Sequence, residues 1–333
     1  MLIYNLLLFL CLPSIFIRNE KFLFFIILLL TVFCGTRLNI LGYDYFVYQD
    51  YYNNILIDGN VYSYEPFFYW FAHTCSSLGL SYNVFLFLIS MLFHWALFLF
   101  LIAIKRHLYI NVGVVLSLYV STIYFWHSYT IIRQSFSISI FYIFLSSFLS
   151  SGGKKNTWVN YLGLGFHISH LSCMIFYMLS VMKLSLRNLF FISIFIFVII
   201  YYSPLFMLKL EQYRNGGAAG VFPVIEFLFS MFVIYLLTSD NKRLLIMSFL
   251  GFCIALFSVM YSEVFVRFLE PFRIIIPISW AYLYRFIGSK NREIAVVFSM
   301  LLILYAFFRL NYFILNFGDY SIPYQNIFFT TLS

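Results

Sequence analysis

Long apolar runs separated by short polar segments recur along almost the whole chain, and they restrict its fold more than any other feature. They fall at residues 1–17, 21–35, 82–104, 109–127, 130–149, 188–206, 223–238, 243–261, 273–287 and 294–313. Because 63% of the residues are hydrophobic and only 10% are charged, the polar surface of a soluble domain cannot be built. The sequence therefore predicts an all-α polytopic membrane protein, a single transmembrane domain over 1–333 with about 10–12 transmembrane helices.

Short basic clusters lie between these runs and predict how the chain is oriented in the membrane. They are Arg18/Lys21, Lys105/Arg106, Lys154/Lys155, Lys183/Arg187, Lys242/Arg243 and Arg285/Lys290/Arg292. Clusters of this kind favour the cytoplasmic side of a membrane. The net charge of +8 is spread over these loops, so it indicates membrane orientation and not a nucleic-acid partner. The first run lacks the basic start and small-residue cleavage site of a signal peptide, so we interpret it as the first span.

The segment 157–182 lies between two basic clusters that both favour the cytoplasm. A single span there would reverse the orientation of every later loop, whereas a segment that dips into the membrane and returns would not. Gly163 and Gly165 stand where such a segment would turn. We therefore predict a re-entrant or broken helix near 157–182 that carries His167 and His170 at its tip, where non-helical backbone must be covered by protein or water.

Arginines collect on the side of the membrane where positive charge is normally avoided. In the predicted orientation this outer side holds Arg37, Arg133, Arg214, Arg267, Arg273 and Arg309. A guanidinium matches the oxygens of a phosphate group and stays charged, so this distribution indicates an anionic ligand. Alternatively, these arginines pair with acidic residues of the loops such as Asp44, Glu65, Glu263 and Glu270. Arg133 and Gln134 lie about one turn inside a span, where an ionisable residue indicates function unless it snorkels to the interface.

The longest outer segment, 36–81, is predicted to be a periplasmic loop with amphipathic helices. Tyr45, Tyr48 and Tyr52 recur in it at helical spacing, which suits a helix at the membrane interface. Its carboxylates and aromatic rings also suit a sugar ligand, although an ordinary aromatic belt explains most of the tyrosines. Asp44 and Glu65 stand beside turn residues and are the candidate substrate-side carboxylates. A second periplasmic loop, 207–222, is predicted to be flexible because it is rich in glycine and alanine.

The cysteines and histidines do not form a metal-binding pattern. The five cysteines show no CxxC spacing, and a bridge between Cys34 and Cys75 remains an open alternative to five free thiols. His167 and His170 are three residues apart, but no third ligand stands at a convincing position. The sequence therefore predicts no metal and no cofactor.

Several short motifs follow one another along the chain. They are Gly42-Tyr43-Asp44 with Tyr48, Glu65-Pro66, Arg133-Gln134, Phe166-His167 and a late arginine near Arg267 to Arg273. In their order and spacing, over about residues 30–290, the chain resembles the EpsG family of bacterial polysaccharide membrane proteins, which is similar to Wzy. It departs from that pattern at His170, where a small residue is expected, and at Ser135-Phe136-Ser137, which is less alanine-like.

The resemblance implies a repeat-unit polymerase for O-antigen or capsule in the bacterial inner membrane, with its active site facing the periplasm. Such an enzyme transfers a growing glycan from undecaprenyl diphosphate to the non-reducing end of the next lipid-linked oligosaccharide. The resemblance also implies metal-independent chemistry, an architecture like that of the GT-C glycosyltransferases, and a chain-length regulator and a flippase as partners. A lipid-linked oligosaccharide transporter and an O-antigen ligase remain the alternative functions.

This reaction requires groups that hold a leaving diphosphate, remove a proton and bind sugar. Outward arginines suit the diphosphate, with Arg133 first, Arg267 and Arg273 next, and Arg37 and Arg214 as further candidates. His167 suits the base because an imidazole titrates near neutral pH, and Asp44 or Glu65 is the alternative. His167 is equally well explained as a structural histidine. The candidate sugar-binding residues are Tyr48, Gln134 and His170.

Overall fold

The computed structural model describes residues 2–38, 45–57, 65–151, 158–181, 221–238, 241–261, 263–317 and 325–326. Several sequence predictions lie outside these described residues. They are Asp44, Arg214, the Lys154/Lys155 and Lys183/Arg187 clusters, the span at 188–206 and all but the last two residues of the loop 207–222.

The described chain is built from helices and one short antiparallel ladder. The helices of the first half are α1 (Leu2–Cys11), α2 (Glu20–Gly35), α3 (Tyr45–Asn54), α4 (Pro66–Ser77), α5 (Tyr82–Leu108), α6 (Val112–Thr122) and α7 (Ile132–Ser150). Those of the second half are α8 (Val159–Leu162), α9 (Leu171–Val181), α10 (Phe222–Leu237), α11 (Lys242–Tyr261), α12 (Glu263–Leu269), α13 (Ile275–Lys290) and α14 (Arg292–Phe317). The ladder pairs β1 (Arg37–Leu38) with β2 (Gln325–Asn326).

Length and composition confirm the predicted class, an all-α polytopic membrane protein. Within the described ranges, four helical segments are long and apolar enough to cross a membrane, namely Tyr82–Leu108, Ile132–Ser150, Lys242–Val259 and Arg292–Leu315. Shorter apolar helical segments cover Tyr4–Ile15, Val112–Thr122, Ile168–Val181 and Phe222–Leu237.

The chain divides into two compact units, the first formed by residues 1–168 and 287–333 and the second by residues 169–286. In the first unit, α5 packs against α2 and α7, while α6 packs against α14 and the 3₁₀ turn Leu12–Ile15. Gly113 permits the last of these contacts because a Cβ at this position would overlap the backbone of Ser14. The Asn111 side chain donates to the carbonyl of Ile15 over 2.8 Å, so the start of α6 is fixed to this turn.

Two basic clusters meet at one end of the first unit. Lys105 and Arg106, in the last turn of α5, contact the carboxylate of Glu20 over 3.2 and 3.1 Å. The hydrogen bond from Lys105, followed by its charge and by Arg106, lowers the pKa of Glu20 below its ordinary 4.5. Because Glu20 begins α2, the start of α2 and the end of α5 share one end of the unit. The end of α2 and the start of α5 are consequently at the other.

In the second unit, α11 packs against α9, α10 and α12. Gly251 of α11 lies against the ring of Phe227 on α10, where a Cβ would overlap that ring. Ser230 of α10 and Ser279 of α13 form a hydrogen bond of 3.1 Å between buried hydroxyls. The helices of this unit therefore approach each other at small residues, as is common in membrane proteins.

Within the described residues, the helix is interrupted in two segments that adjoin α7. The predicted broken helix is present, because α8 gives way to the 3₁₀ turn Gly163–Gly165, a second 3₁₀ turn Ile168–His170, and then α9. The apolar run 109–127, predicted as one continuous span, is also interrupted: α6 ends at Thr122, and a π turn follows at Trp126–Thr130. The hydroxyls of Ser121 and Thr122 both donate to the carbonyl of Leu118, and such back-bonding bends helices.

Candidate functional site

Helices α3 and α4 lie against the start of α5. Tyr45, Tyr48 and Tyr52 occupy the buried face of α3, as their spacing indicated. The hydroxyl of Tyr52 donates to the carbonyl of Leu80 over 2.8 Å, and its ring stacks on Phe85. Burial raises the pKa of Tyr52 to about 12, with nearby Cys75 a smaller cause, so this donor stays protonated at physiological pH. The face of α3 is therefore held by packing as well as by its amphipathic character.

Arg133 lies in the first turn of α7 and joins two other predicted site residues. Its Nη1 donates to Glu65 Oε2 over 2.6 Å, and its Nε donates to the hydroxyl of Tyr48 over 2.8 Å. The guanidinium carbon also lies 5.6 Å from the centre of the Tyr48 ring. The side chains of Arg133 and Glu65 are 17% and 18% exposed. The cluster is thus held by an ion pair and a hydrogen bond, and its two charged side chains are partly exposed.

The backbone around this cluster explains why the three residues meet. The N-terminus of a helix disfavours a positive charge, so Arg133 at the start of α7 requires a carboxylate such as Glu65. Glu65 directly precedes Pro66, which stands at the first position of α4, where proline is preferred. Tyr48 is on the buried face of α3. The ends of α4 and α7 and one face of α3 therefore converge on a single guanidinium.

Phe166 and His167 lie against the same part of α7. The ring of Phe166 stacks on Phe136 with centres 4.3 Å apart and contacts Phe67 of α4 edge-on. His167 is 5% exposed, and its backbone NH donates to the carbonyl of Gly163 over 3.1 Å. Because Phe136 is one turn beyond Arg133, the broken helix brings the chain at His167 to the first turns of α7.

Arg37 is at the end of α2 and is only 3% exposed. Its Nη1 donates to the carbonyl of Ser128 over 2.8 Å and to the carbonyl of Cys34 over 3.2 Å, and contacts the Cys34 sulfur at 2.9 Å. A cation at a helix C-terminus is favourable. This arginine therefore binds backbone from two separate elements.

Two buried histidine–tyrosine pairs lie nearby and were missed from the sequence. Nδ1 of His127, within the π turn, is 2.8 Å from the hydroxyl of Tyr119. Nε2 of His94, on α5, is 2.9 Å from the hydroxyl of Tyr124, which also donates to the carbonyl of Leu30. Both histidines interrupt apolar runs, and an ionisable residue in such a run is itself the signal that could have identified them.

The remaining predicted site residues are Gln134, His170, Arg267 and Arg273. Gln134 is buried in the first turn of α7. In the second unit, His170 is buried in a 3₁₀ turn and Arg267 is partly buried in α12. Arg273, also in this unit, has its Nε 3.0 Å from Oε1 of the fully buried Glu270. The pairing of Arg273 with Glu270, like that of Arg133 with Glu65, matches the alternative in which the arginines predicted on the outer side bind loop carboxylates.

The five cysteines are free, so the Cys34–Cys75 bridge is not formed. The Cys34 thiol instead donates to the carbonyl of Ser128 over 3.1 Å. Among the described residues, no group of three His, Cys, Asp or Glu side chains could hold a metal ion. Metal-independent chemistry stays a prediction.

A sequence profile of the EpsG family matches residues 20–326. This chain belongs to the EpsG family. That family is a Wzy-like polymerase family, so the EpsG assignment implies a polysaccharide polymerase, a glycosyltransferase in the general sense. No curated protein and no solved structure matches the chain.

In this EpsG protein, residues from separate sequence motifs are in direct contact. Arg133 is 85 residues from Tyr48 and 68 residues from Glu65 along the chain. The structure thereby joins three of the short motifs, and Phe166 brings a fourth to the same helix. This convergence defines the candidate active site.

Proposed function

We propose that this protein polymerises oligosaccharide repeat units linked to undecaprenyl diphosphate at the periplasmic face of the bacterial inner membrane. The observation that carries the proposal is the partly exposed cluster of Arg133, Glu65 and Tyr48. The cluster is at the start of α7, on the same side of the unit as the end of α2, and the basic residues paired with Glu20 are at the other end. A charged site facing away from the cytoplasm suits a substrate whose diphosphate lies at the outer surface.

The reaction exchanges one glycosidic bond for another. The acceptor hydroxyl oxygen attacks the anomeric carbon of the growing glycan, and the bond from that carbon to the diphosphate oxygen breaks. The diphosphate leaves with the bonding electrons, and a protein base takes the hydroxyl proton. The protein must therefore neutralise negative charge on the leaving group and remove one proton from the acceptor.

Arg133 is the group that neutralises the leaving diphosphate. Its guanidinium is preorganised by Tyr48 and Glu65, and a preorganised cation in a site with little water stabilises developing negative charge strongly. A diphosphate that reaches Arg133 replaces Glu65 as its partner. Glu65 is thereby released as a carboxylate beside the reacting centre.

The proton acceptor is one of three predicted residues. Glu65 is in the cluster itself, His167 is carried to the outer end of α7 by Phe166, and Asp44 lies just before α3 in the sequence. Tyr48, Gln134 and His170 stay the candidate sugar-binding residues, and Arg267 and Arg273 stay the candidates after Arg133 for binding the diphosphate. We expect a flippase to supply these substrates and a chain-length regulator to limit the product.

Purified protein in liposomes, supplied with a lipid-diphosphate-linked repeat unit, tests the function. Ladders of glycan with increasing length indicate a polymerase, and a single transfer to lipid A core indicates a ligase. Substrate that only changes membrane leaflet indicates a transporter, and either of the last two results contradicts the proposal.

Substitution at Arg133 tests the site within the same assay. Arg133→Gln should reduce polymer formation about a hundredfold, the typical loss on removing one preorganised donor to a developing negative charge. The control is Arg292→Gln, the same chemical change at an exposed position on α14, which should polymerise normally. Normal ladders from Arg133→Gln would remove Arg133 from the mechanism.

A further inference from the structure

The backbone that leads into α7 is irregular, and several side chains hold it in place. The π turn Trp126–Thr130 ends at Ile131, whose φ of −101° and ψ of 63° are not helical, and α7 begins one residue later. A π turn inside a helical segment often marks a functional site. Arg133 follows directly, so the position of its guanidinium depends on how this turn is fixed.

Arg37 fixes the turn from the side of α2. Its Nη1 bonds to the carbonyls of both Cys34 and Ser128, one in the last turn of α2 and the other inside the π turn. Hydrogen bonds from a charged donor are stronger than neutral ones, and these two join the end of one helix to the irregular start of another. The Cys34 thiol adds a third contact by donating to Ser128.

Two further contacts hold the same turn from α6 and α7. Nδ1 of His127 is bonded to the hydroxyl of Tyr119 on α6. The hydroxyl of Ser135 on α7 donates to the carbonyls of both His127 and Ile131. Each of the elements α2, α6 and α7 therefore contributes a side chain that bonds to the turn.

The space beside Arg37 is too small for a diphosphate. A small cavity lies against the guanidinium and is lined by Arg37, Ser90, Ser128 and Ser135 together with apolar side chains. It has room for about one water molecule, whereas a diphosphate is several times larger. The buried hydroxyl of Ser128 lines the cavity and has no hydrogen-bond partner within the described part of the chain, so a single water would suit the space.

We propose that Arg37 is a positioning residue that holds the π turn, and through it Arg133, and that it is not a ligand of the diphosphate. This role replaces the diphosphate-binding role expected for Arg37 from the sequence. The effect of Arg37 on catalysis rests on the proposed function. The contact between Arg37 and the turn does not, because it is independent of any substrate. Removal of the Arg37 guanidinium should loosen the π turn and, at the same time, make the Cys34 thiol more accessible.

The test compares Arg37→Gln with Arg133→Gln in full-length protein in liposomes. Three experiments are made on each variant. The first measures the rate at which N-ethylmaleimide alkylates Cys34, followed by peptide mass spectrometry. The second measures kcat and KM with a lipid-diphosphate-linked repeat unit, and the third measures inhibition by inorganic pyrophosphate. Alkylation needs no turnover, so it reports on the turn even if the proposed function fails. The pyrophosphate measurement reports on diphosphate binding alone.

For Arg37→Gln we expect Cys34 alkylation to become about tenfold faster, because buried partners are lost. We expect kcat to fall about tenfold, because Arg133 is displaced, while KM and pyrophosphate inhibition stay within about twofold. Arg133→Gln should do the opposite and weaken pyrophosphate inhibition about tenfold with Cys34 still protected. Arg37→Lys keeps the charge but not the planar fork, so it should restore both protection and kcat in part.

Two results would overturn the proposal. In the first, Arg37→Gln weakens pyrophosphate inhibition as much as Arg133→Gln does, and Cys34 is still protected from alkylation. Arg37 would then be a ligand of the diphosphate. In the other, Cys34 alkylation is unchanged in both Arg37 variants, so the turn does not depend on Arg37. If Arg37→Gln does not fold, Arg37→Lys decides between the same outcomes. If the unsubstituted protein shows no polymerisation, the proposed function fails while the alkylation rates still decide whether Arg37 holds the turn.

Discussion

Arg133 shows how a single side chain can be stable in a place that disfavours it. Its guanidinium is at the start of a helix, where the helix dipole repels a cation, and it is only partly exposed. Glu65 compensates for both effects because a carboxylate 2.6 Å away supplies the opposite charge. An anionic ligand can do the same. The energetic demand that holds Glu65 at Arg133 therefore also supports the proposed binding of a diphosphate at this guanidinium.

The competition between Glu65 and a diphosphate can be measured. Because Arg133 must give up Glu65 to bind the ligand, Glu65→Gln should strengthen inhibition by pyrophosphate about fivefold, the scale of a partly exposed ion pair. The same variant should polymerise more slowly if Glu65 is the base. Asp50→Asn, which removes a carboxylate on α3 that bonds to Asn54, is the control. Weaker inhibition by pyrophosphate in Glu65→Gln would show that Glu65 does not compete for Arg133.

The hydroxyl of Tyr48 contributes a separate, smaller effect. Tyr48→Phe removes the contact to Arg133 Nε but keeps the ring beside the guanidinium and against Phe68. Polymerisation should fall about threefold to tenfold, as expected for one hydrogen bond. Tyr52→Phe loses a hydrogen bond to the backbone at Leu80 instead, so it should reduce thermal stability with little change in activity. Equal loss of activity in the two variants would contradict a specific role for Tyr48.

At this scale the sequence identified residues better than it identified contacts. Arg133 and Glu65 could be singled out because an ionisable residue in an apolar span and a carboxylate beside a turn are both uncommon. Arg37 belonged with Arg133 to the arginines predicted on the outer side, yet its partners are backbone carbonyls of Cys34 and Ser128. Contacts to backbone carbonyls cannot be predicted from residue type, because every residue has a backbone carbonyl. Only the fold shows which arginine faces outward and which is buried.

Small turns, and not whole helices, determine how the elements around the site meet. The 3₁₀ turn Gly163–Gly165 packs against α4, and the ring of Phe67 occupies the space where a Cβ of Gly165 would stand. The glycine is therefore required for close approach between these two elements. The sequence predicted an interruption of the helix here, but the partner of Gly165 could not be known until α4 was placed.

The contact between Gly165 and Phe67 predicts a pair of compensating substitutions. Gly165→Ala should force the two elements apart and cost about 1–3 kcal/mol, the usual penalty of overpacking. Thermal unfolding followed by fluorescence-detected size exclusion would show a lower midpoint.

Phe67→Leu in the same protein removes ring atoms from the overlap and should recover part of the loss. Gly79→Ala is not a neutral control because Gly79 has a positive φ of 72°. The control is therefore Gly288→Ala, because a Cβ at Gly288 would make only an ordinary contact with Ala295. A double variant no more stable than Gly165→Ala would contradict the assigned contact.

The pairing of α2 with α5 predicts a mild dependence of stability on pH. The pKa of Glu20 is lowered in the folded protein, chiefly by the hydrogen bond from Lys105. The stabilisation is therefore present above the ordinary pKa of 4.5 and is lost as the pH falls through the lower, folded-state pKa. Because these side chains are partly exposed, the effect should stay within about 1 kcal/mol and weaken in high salt.

Thermal midpoints of Glu20→Gln and the unsubstituted protein test this dependence. They should differ slightly at neutral pH and converge in acid below the ordinary pKa. Glu293→Gln, at the exposed start of α14, is the matched control. A difference between Glu20→Gln and the unsubstituted protein that grows on acidification would contradict the sign of the shift.

The irregular elements were the hardest to predict from the sequence. Tyr45, Tyr48 and Tyr52 repeat at helical spacing and lie on one buried face of α3, so a periodic pattern was enough. The π turn at Trp126–Thr130 lies where the apolar runs 109–127 and 130–149 meet, and it contains no glycine or proline that would predict it. Side chains of Cys34, Tyr119 and Ser135 bond to it, and only the folded chain brings these residues near.

For the whole molecule, the composition was sufficient to predict the class because so few charged residues cannot cover a soluble fold. The basic clusters gave an orientation, which stays a prediction; in the first unit, Glu20, Lys105 and Arg106 meet at one end. The division into two compact units could not be predicted from the sequence, because the apolar runs before and after residue 168 have similar length and composition. Contacts within the fold determine such a division.

Labelling from one side of the membrane tests the orientation of the first unit. His107→Cys and Asn53→Cys both place a thiol at an exposed position, one beside the basic end of α5 and the other on α3. A membrane-impermeant maleimide added to intact spheroplasts should label the thiol at 53 and not the thiol at 107. Labelling at 107 alone would reverse the orientation and remove the periplasmic site from the proposal.

The bond between Arg133 and Glu65 has a consequence for an enzyme that handles an energy-rich donor. In the proposed mechanism, the guanidinium neutralises the carboxylate while the donor position is vacant, so the carboxylate cannot activate a water molecule. Arrival of the diphosphate would occupy the guanidinium and free the carboxylate in the same event. The proposed site would therefore become active only with its substrate bound, which would limit wasteful hydrolysis of glycan chains that are already assembled.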